Sequence, residues 1–278
     1  MSKVVSAKIA VGLVSDNDIV AVNSSSGLCC PDAVLAALGE RFDETGSPKN
    51  LTTIHPIAAG DMFGTKGVDH IAKPGMLARI IGGSYPSGPT KAEPPLIWQM
   101  IVANQVRAYN VPSGIVFDIL REGAAKRPGV LTKVGMQTFV DPDLEGCAMN
   151  DAARDAPIVS KREFDGADWL YFKAMAPDVA IIRATTADER GNLTFEQEGA
   201  YLGAMEIALA ARNTGGKVIA QVKRVAMNGT LRPHDVRVPG ILVDAIVVAP
   251  EQLQTTATAY DPAISGEIVR PLETFNLT

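Results

Sequence analysis

The chain has 278 residues and a formal net charge of −5 at neutral pH, from 26 Lys and Arg against 31 Asp and Glu. Hydrophobic residues make up 46% and charged residues 21%, as in an ordinary globular protein, which excludes a disordered, collagen-like or coiled-coil chain. The acidic balance argues against a nucleic-acid-binding face, and aromatic residues at 5% are too few for base-stacking platforms.

The cysteines and the N-terminus indicate the cellular compartment. No apolar run approaches the roughly 20 residues of a membrane-spanning helix, and the first ten residues contain no apolar core of a signal peptide. The 3 cysteines include the adjacent pair Cys29 and Cys30, and an odd number does not suggest a disulfide framework. We therefore expect a cytoplasmic protein with no membrane association.

Short apolar runs alternate with small-residue turns through the first half of the chain. Residues 18–22 predict a strand, which a Ser- and Gly-containing loop connects to a helix beginning near Pro31. The same pattern predicts three more strands and one more helix, at 51–55, 77–81, 106–110 and 115–120. A strand, a loop and then a helix is the crossover connection of a parallel sheet.

The second half continues this alternation. Strands are predicted at 177–185, 217–222 and 241–248, and a helix at 201–211. Continuous apolar strands are typical of a sheet that is covered on both sides. We therefore predict an α/β fold with an open, mainly parallel sheet and helices on both faces.

The domain organisation follows from composition. Residues 1–254 are predicted to form one domain, within which 141–162, rich in Asp, Gly and Arg, is an insertion or a lobe boundary. Residues 255–278 contain no convincing buried element and are interpreted as a C-terminal arm or linker.

Glycine-rich loops at the ends of predicted strands are the most frequent feature. Ligands bind beyond the carboxyl ends of the strands in an open α/β sheet, and glycine lets backbone amides approach a ligand closely. Because any α/β protein has glycines at such turns, each loop taken alone is weak support for a site. None of the loops matches the dinucleotide-binding or Walker pattern.

No catalytic nucleophile or metal site can be identified from spacing. The three histidines lie far apart, and Cys-x-x-Cys, His-Glu-x-x-His and Gly-x-Ser-x-Gly patterns are absent. A thiolate at Cys29 or Cys30 near a helix N-terminus is conceivable, but the small apolar surroundings favour packing. Spacing assigns none of the loop carboxylates to acid or base chemistry, namely Asp61, Asp141, Asp143, Glu196 and Glu198.

An ordered set of motifs covers nearly the whole chain. It comprises residues 18–31, Gly60-Asp61, the Ala-Tyr-Asn-Val-Pro-Ser-Gly run at 108–114, and the segments 134–142, 176–186, 191–196, 236–244 and 260–266. In this order the motifs resemble the N-terminal, or α, half of family I CoA-transferases, in particular the fused acetate/propionate type. The resemblance implies the α/β fold of that half.

The resemblance also implies that the active site is completed by a second half of the enzyme. In that family a glutamate of the β half attacks the acyl-CoA thioester, and a glutamyl-CoA thioester then carries CoA to an acceptor carboxylate, with ping-pong kinetics. We expect this chain to be the α subunit of a hetero-oligomer, inactive without a separate β subunit that carries the glutamate. The alternative is a fragment of a fused enzyme. Acyl-CoA and a carboxylate would be substrates, with no permanently bound cofactor.

Three departures from the family pattern affect the expected site. The family's first loop is usually rich in glycine, whereas this chain has Ser24-Ser25-Ser26-Gly27. Where the family has Pro-Gln-Gly, this chain has Pro112-Ser113-Gly114, and where the family has Gly-Thr-Phe it has Gln137-Thr138-Phe139. We hypothesise that Gln137 supplies the amide donor that is missing at Ser113, as part of an oxyanion hole. The candidate substrate-binding residues are Ser26, Gly27, Gly82, Gly83, Ser113, Gly114, Gln137, Thr138 and Phe139.

The same departures leave two other functions open. One is a component of a CoA-thioester hydrolase on the same fold, which could be ring-cleaving and in which water replaces the acceptor acid. The other is a catalytically silent scaffolding subunit.

Overall fold

Parallel strand pairing organises the chain. The computed structural model describes residues 2–86 and 94–271. The strands in chain order are β1 (Ile19–Val22), β2 (Leu51–His55), β3 (Leu77–Gly82), β4 (Arg107–Asn110), β5 (Gly129–Thr132), β6 (Val159–Phe164), β7 (Ala167–Lys173), β8 (Val179–Asp188), β9 (Leu193–Thr194), β10 (Lys217–Ala226) and β11 (Ala245–Val248). The α-helices are α1 (Ala7–Ala10), α2 (Asp32–Thr45), α3 (Leu96–Val102), α4 (Ser113–Ala124), α5 (Asp151–Arg154) and α6 (Ala204–Arg212).

The main sheet has eight strands among the described residues. Seven of them are parallel and lie in the order β11-β10-β8-β1-β2-β3-β4, while the short β9 pairs antiparallel with β8. The chain moves outward in one direction from β1 to β4 and then returns to place β8 on the other side of β1. Strand order therefore reverses between β1 and β8, the position where open α/β sheets form a crevice.

Two hydrophobic clusters cover the two faces of this sheet. On one face α4 and α6 contribute buried side chains such as Val116 and Ile207, and on the other α2 and α3 contribute Leu35 and Ile97. All ten residues of β8 are buried, as expected for a central strand. The predicted α/β fold, with a mainly parallel sheet and helices on both faces, is confirmed.

A second, smaller sheet was not predicted. Strands β5, β7 and β6 form an antiparallel sheet of three, in which Leu170 and Phe172 of β7 are buried against the main core. Segment 141–162, interpreted as an insertion or lobe boundary, contains the loop before α5, α5 itself and the first part of β6.

Two predicted elements begin three or more residues later than the sequence pattern suggests. The helix predicted from residue 201 begins at Ala204, after Gly203 adopts a left-handed conformation with a φ of 72°. The strand predicted from residue 241 begins at Ala245, because Gly240–Leu242 forms a short 3-10 helix first.

The last described segment, 255–271, contains no helix or strand but packs against the sheet's carboxyl edge. Gln254 just before it is buried, and Ile264 lies next to the loop that contains Gly199. Residues 272–278, the rest of the predicted arm, lie outside the described residues.

Candidate substrate-binding site

The loop after β1 is joined to the loop after β2 by backbone hydrogen bonds. The Ser26 N–H donates to the Ala58 carbonyl at 2.7 Å, and the Gly60 N–H donates to the Ser26 carbonyl at 2.9 Å. Ser26 has a φ of 53° and is exposed at the carboxyl edge of the sheet. Its side chain is therefore available to a ligand while its backbone is fixed.

Gly27 is required by close contacts. A Cβ at this position would lie 2.2 Å from Asp61 Oδ2 and 2.4 Å from the Thr256 nitrogen. Asp61 is itself fixed, because its Oδ1 accepts the Phe63 N–H at 2.8 Å and is close to the N–H groups of the following residues. The first loop, the second loop and the C-terminal segment thus meet at Gly27.

The β3 turn meets the start of α4. A Cβ at Gly83 would lie 2.3 Å from Ser113 Oγ and 2.0 Å from the Pro56 carbonyl oxygen, so only glycine allows this approach. The Val111 N–H donates to the Gly82 carbonyl, and the Gly83 N–H donates to the His55 carbonyl. Gly82, Gly83 and Ser113, three of the predicted site residues, therefore lie side by side.

The N-terminus of α4 opens onto this turn. Pro112, which precedes the helix, provides no side-chain cap, and no acceptor for the N–H of Ser113 or Gly114 is found within the described residues. Gly114 is exposed, and a Cβ there would meet no atom within 4 Å. Free amides at a helix N-terminus carry partial positive charge, so this end of α4 is suited to an anionic oxygen.

The loop that contains Gln137 lies beyond β4. The Cys147 N–H donates to the Phe139 carbonyl and the Asn110 N–H donates to the Cys147 carbonyl, both at 2.9 Å, which links this loop to the carboxyl end of β4. Gln137 has a φ of 61°, and both its side chain and that of Phe139 are exposed.

Asp141 holds the Gln137 loop in this conformation. Its Oδ2 accepts the Gln137 N–H at 3.0 Å, and its Oδ1 lies 3.0 Å from Lys161 Nζ. The backbone hydrogen bond from Gln137, followed by contributions that include Lys161, lowers the pKa of Asp141. Thr138 is fixed in the same turn, because its hydroxyl donates to the Gly135 carbonyl.

Direct contact joins only part of the predicted site. Gly82, Gly83 and Ser113 are neighbours and Ser26 and Gly27 are tied to the adjacent loop, but no hydrogen bond within the described residues joins Gln137 to Ser113. The postulated replacement of one amide donor by the other therefore remains a hypothesis.

The sequence analysis did not single out His55, which lies beneath the β3 turn. Its ring is fully buried, packs edge-on against Tyr85, and would lie 2.7 Å from a Cβ at Gly82. Neither ring nitrogen has a hydrogen-bond partner within the described residues. Burial lowers the pKa of His55 to about 4, so the imidazole is neutral near pH 7.

A buried ion pair occupies the crevice between β1 and β8. Arg183 of β8 donates from Nε to Glu198 Oε1 at 3.0 Å and from Nη2 to Glu198 Oε2 at 3.1 Å. Its backbone N–H donates to Asn23 Oδ1 at 2.8 Å, which ties the pair to the end of β1. Burial raises the pKa of Glu198, and the Arg183 charge opposes this change.

Two cavities lie on either side of this ion pair. One, of about 540 Å³, is lined by Glu198 together with Phe195, Tyr201 and Arg237. The other, of about 640 Å³, is lined by Arg183 together with Cys30, Ala33 and Val247. Both volumes are within the range of small-molecule sites.

Comparison with known proteins identifies the family. The sequence profile described as Coenzyme A transferase matches residues 4–249. Caffeate CoA-transferase of Acetobacterium woodii is 39% identical over 279 residues, which cover 98% of this chain and 51% of that protein. The chain belongs to the Coenzyme A transferase family.

Solved structures of CoA-transferases agree with this assignment. The apoenzyme of acyl-CoA transferase YdiF from Escherichia coli O157:H7 is 35% identical and superimposes with a TM-score of 0.89, over 98% of this chain and 52% of YdiF. A thioester complex of YdiF with CoA superimposes with a TM-score of 0.88. The chain thus corresponds to the N-terminal, α-type half of family I enzymes.

The relatives fall into two groups by their length. The chain spans about half the length of the caffeate enzyme and of YdiF. It is also 29% identical to one of the subunits of succinyl-CoA:3-ketoacid coenzyme A transferase from Xanthomonas campestris, over 85% of this chain and 84% of the Xanthomonas polypeptide.

The thiols of the chain are packed in its interior. Cys29, Cys30 and Cys147 are all free and buried. Burial raises the pKa of each thiol, that of Cys147 to about 12. The protonated thiol of Cys29 donates a hydrogen bond from Sγ to the Ala200 carbonyl at 3.1 Å, next to Glu198.

Residues 2–86 and 94–271 contain neither a candidate metal site nor a candidate membrane span. No group of three or more His, Cys, Asp or Glu side chains in these ranges is arranged to hold a metal ion. None of their helices is both long and apolar enough to cross a membrane.

Proposed function

We propose that this chain is the α-type half of a CoA-transferase that moves CoA between an acyl-CoA and a carboxylic acid by a ping-pong mechanism, with the catalytic glutamate on a β-type half. The observation that carries the proposal is the meeting of the β3 turn with the N-terminus of α4 at Gly83 and Ser113. This edge offers backbone amides to an oxyanion, and the buried carboxylate in the crevice between β1 and β8, Glu198, is already held by Arg183.

The chemistry would proceed through two acyl transfers at the partner glutamate. Its carboxylate attacks the thioester carbonyl, which forms an acyl-glutamyl anhydride and releases the CoA thiolate. The thiolate then attacks the glutamyl carbonyl, which leaves a glutamyl-CoA thioester and frees the first carboxylic acid. An acceptor carboxylate reverses both steps and departs as the new acyl-CoA.

The present chain would stabilise the oxyanion of these steps. Each attack places negative charge on a carbonyl oxygen, and preorganised N–H donors stabilise such charge strongly. The amides of Ser113 and Gly114 are held by the start of a twelve-residue helix, where the first N–H groups have no partner within the helix. The exposed side-chain amide of Gln137 is proposed as a further donor.

We propose that the β-type half is a separate polypeptide. The Xanthomonas relative supports this arrangement, because it is named as one subunit of its enzyme and has a length similar to that of this chain. The greater length of the caffeate enzyme and YdiF supports the other arrangement, in which both halves belong to one polypeptide. Co-purification of this chain with a separately encoded β-type chain would distinguish them.

The decisive experiment is trapping of the glutamyl thioester. The complex of both halves is incubated with acetyl-CoA, treated with borohydride and analysed by peptide mass spectrometry, with and without an acceptor such as propionate. Reduction of one glutamate of the β-type half and acceptor-dependent CoA transfer are expected. An untrapped enzyme that releases CoA without an acceptor would be a thioester hydrolase, and the proposal would be wrong.

A further inference from the structure

The cavity of about 540 Å³ beside the Arg183–Glu198 pair has the chemistry of an anion site. Its wall includes Thr194 at the end of β9 and the side chain of Tyr201, and Phe195 packs edge-on against the Tyr201 ring at 5.5 Å between centroids. The guanidinium of Arg237 stacks over Tyr201 at 4.7 Å from the ring centroid. An aromatic wall and an arginine therefore face the same space.

Three carboxylates and two arginines line this cavity, and two further arginines outside the lining, Arg183 and Arg224, pair with two of the carboxylates. Its three carboxylates each have an arginine partner: Glu198 pairs with Arg183, Glu196 lies 2.7 Å from Arg224, and Asp235 lies 3.7 Å from Arg232. Arg237 forms no ion pair within the described residues, although its backbone is fixed by the hydrogen bond from its N–H to the Leu193 carbonyl. In this part of the chain one positive charge is thus left without a counter-charge.

We propose that this cavity binds a monocarboxylic acid with an aromatic or apolar body, with its carboxylate on Arg237 and its body against Tyr201 and Phe195. Stacking on Tyr201 holds the planar guanidinium so that its edge can donate two parallel hydrogen bonds to a carboxylate. A phosphate dianion fits less well, because one unpaired cation cannot balance it and three carboxylates line the same space. That the bound acid is the acceptor of CoA rests on the proposed function.

The test is a calorimetric titration of the full chain with benzoate, with benzamide as its uncharged counterpart. We expect benzoate to bind, and benzamide to bind at least about tenfold more weakly, since it cannot form the charged hydrogen bonds. Arg237→Gln should weaken benzoate binding by a similar factor. Arg162→Gln is the matched control, because Arg162 also stacks on a tyrosine, Tyr171, but lies on the small antiparallel sheet.

Three results would overturn the proposal. They are the absence of benzoate binding, an unchanged dissociation constant in Arg237→Gln, and tighter binding of inorganic phosphate than of benzoate. In the active complex, Arg237→Gln should lower kcat/KM for an aromatic acceptor acid at least about fivefold, and Arg162→Gln should leave it unchanged. Because the titration needs no turnover, a complex without transferase activity would refute the proposed function, and the titration would still decide the ligand of the cavity.

Discussion

The guanidinium of Arg183 and the carboxylate of Glu198 form a buried ion pair with two hydrogen bonds, and both side chains are at most 3% exposed. Replacement of Glu198 by Gln keeps the size of the side chain but leaves the Arg183 charge without its partner. We expect the free energy of unfolding in urea at pH 7 to fall by about 3–5 kcal/mol.

An exposed ion pair provides the control for this prediction. Lys8 and Glu44 lie 2.9 Å apart with side chains 80% and 57% exposed. Glu44→Gln should therefore change stability by less than about 1 kcal/mol. If Glu198→Gln and Glu44→Gln lowered the free energy of unfolding equally, the buried Arg183–Glu198 pair would contribute no more to stability than an exposed pair.

Gly83→Ala tests the contact between the β3 turn and α4. The added methyl group would lie 2.0 Å from the Pro56 carbonyl oxygen, which is backbone and cannot rotate away. We expect a loss of about 1–3 kcal/mol in the free energy of unfolding, the usual cost of overpacking, together with reduced transfer activity of the complex.

Gly114→Ala is the matched comparison for stability, since its methyl group would meet no atom within 4 Å. Alanine in the first turn of α4 should raise the free energy of unfolding by up to about 1 kcal/mol. If both variants were equally stable, the close approach at Gly83 would not be the cause of the predicted loss.

Gln137→Ala tests whether this side chain donates to the oxyanion. Loss of one such donor lowers kcat by roughly 10²-fold in known oxyanion holes, and we expect a decrease of that order in the complex. The thermal midpoint should change little, because the Gln137 side chain is exposed. Gln105, an exposed residue before β4, lies at the opposite edge of the sheet and its replacement by Ala should leave kcat unchanged. Unchanged turnover in Gln137→Ala would eliminate the compensation hypothesis.

His55 predicts a pH dependence of stability. Its pKa is lowered to about 4 from 6.5, so the unfolded chain takes up a proton at a pH where the folded chain does not. The stabilising contribution is therefore complete above pH 6.5 and is lost as the pH falls toward 4. Between pH 7 and pH 5 the loss should be about 2 kcal/mol.

The difference between native protein and a His55→Gln variant isolates this contribution from that of the carboxylates. The unfolding free energy of His55→Gln should fall less steeply between pH 7 and pH 5. His234 is exposed, so His234→Gln should retain the full native slope. Parallel curves for the native chain and His55→Gln would mean that the imidazole is not buried in its neutral form.

Buried strands and the crossovers between them could be predicted because their pattern is local. The run that became β2 occupies residues 51–55 in both the prediction and the structure, and the helix predicted at 115–120 lies within α4. The small sheet was missed because its strands are largely exposed. Strand β6, with its charged residues, has no continuous apolar run. A half-exposed strand of this kind is difficult to distinguish from a loop by composition.

The site could be predicted less completely, because its contacts depend on which loops meet. Glycines at strand ends pointed to Gly82 and Gly83, but the proximity of Ser113 follows only from the position of β4 beside β3. The arginine within the apolar run of β8 was a signal that a buried counter-charge must exist. Nothing in the spacing distinguished Glu198 from the other loop carboxylates as its partner.

Because all three thiols are buried, the folded protein should not react with cysteine-directed reagents. A Ser26→Cys variant would therefore take up a maleimide fluorophore at one position only, on the loop that faces outward from the carboxyl edge of the sheet. The emission of that probe would report binding of the proposed β-type half in real time, without any need for turnover.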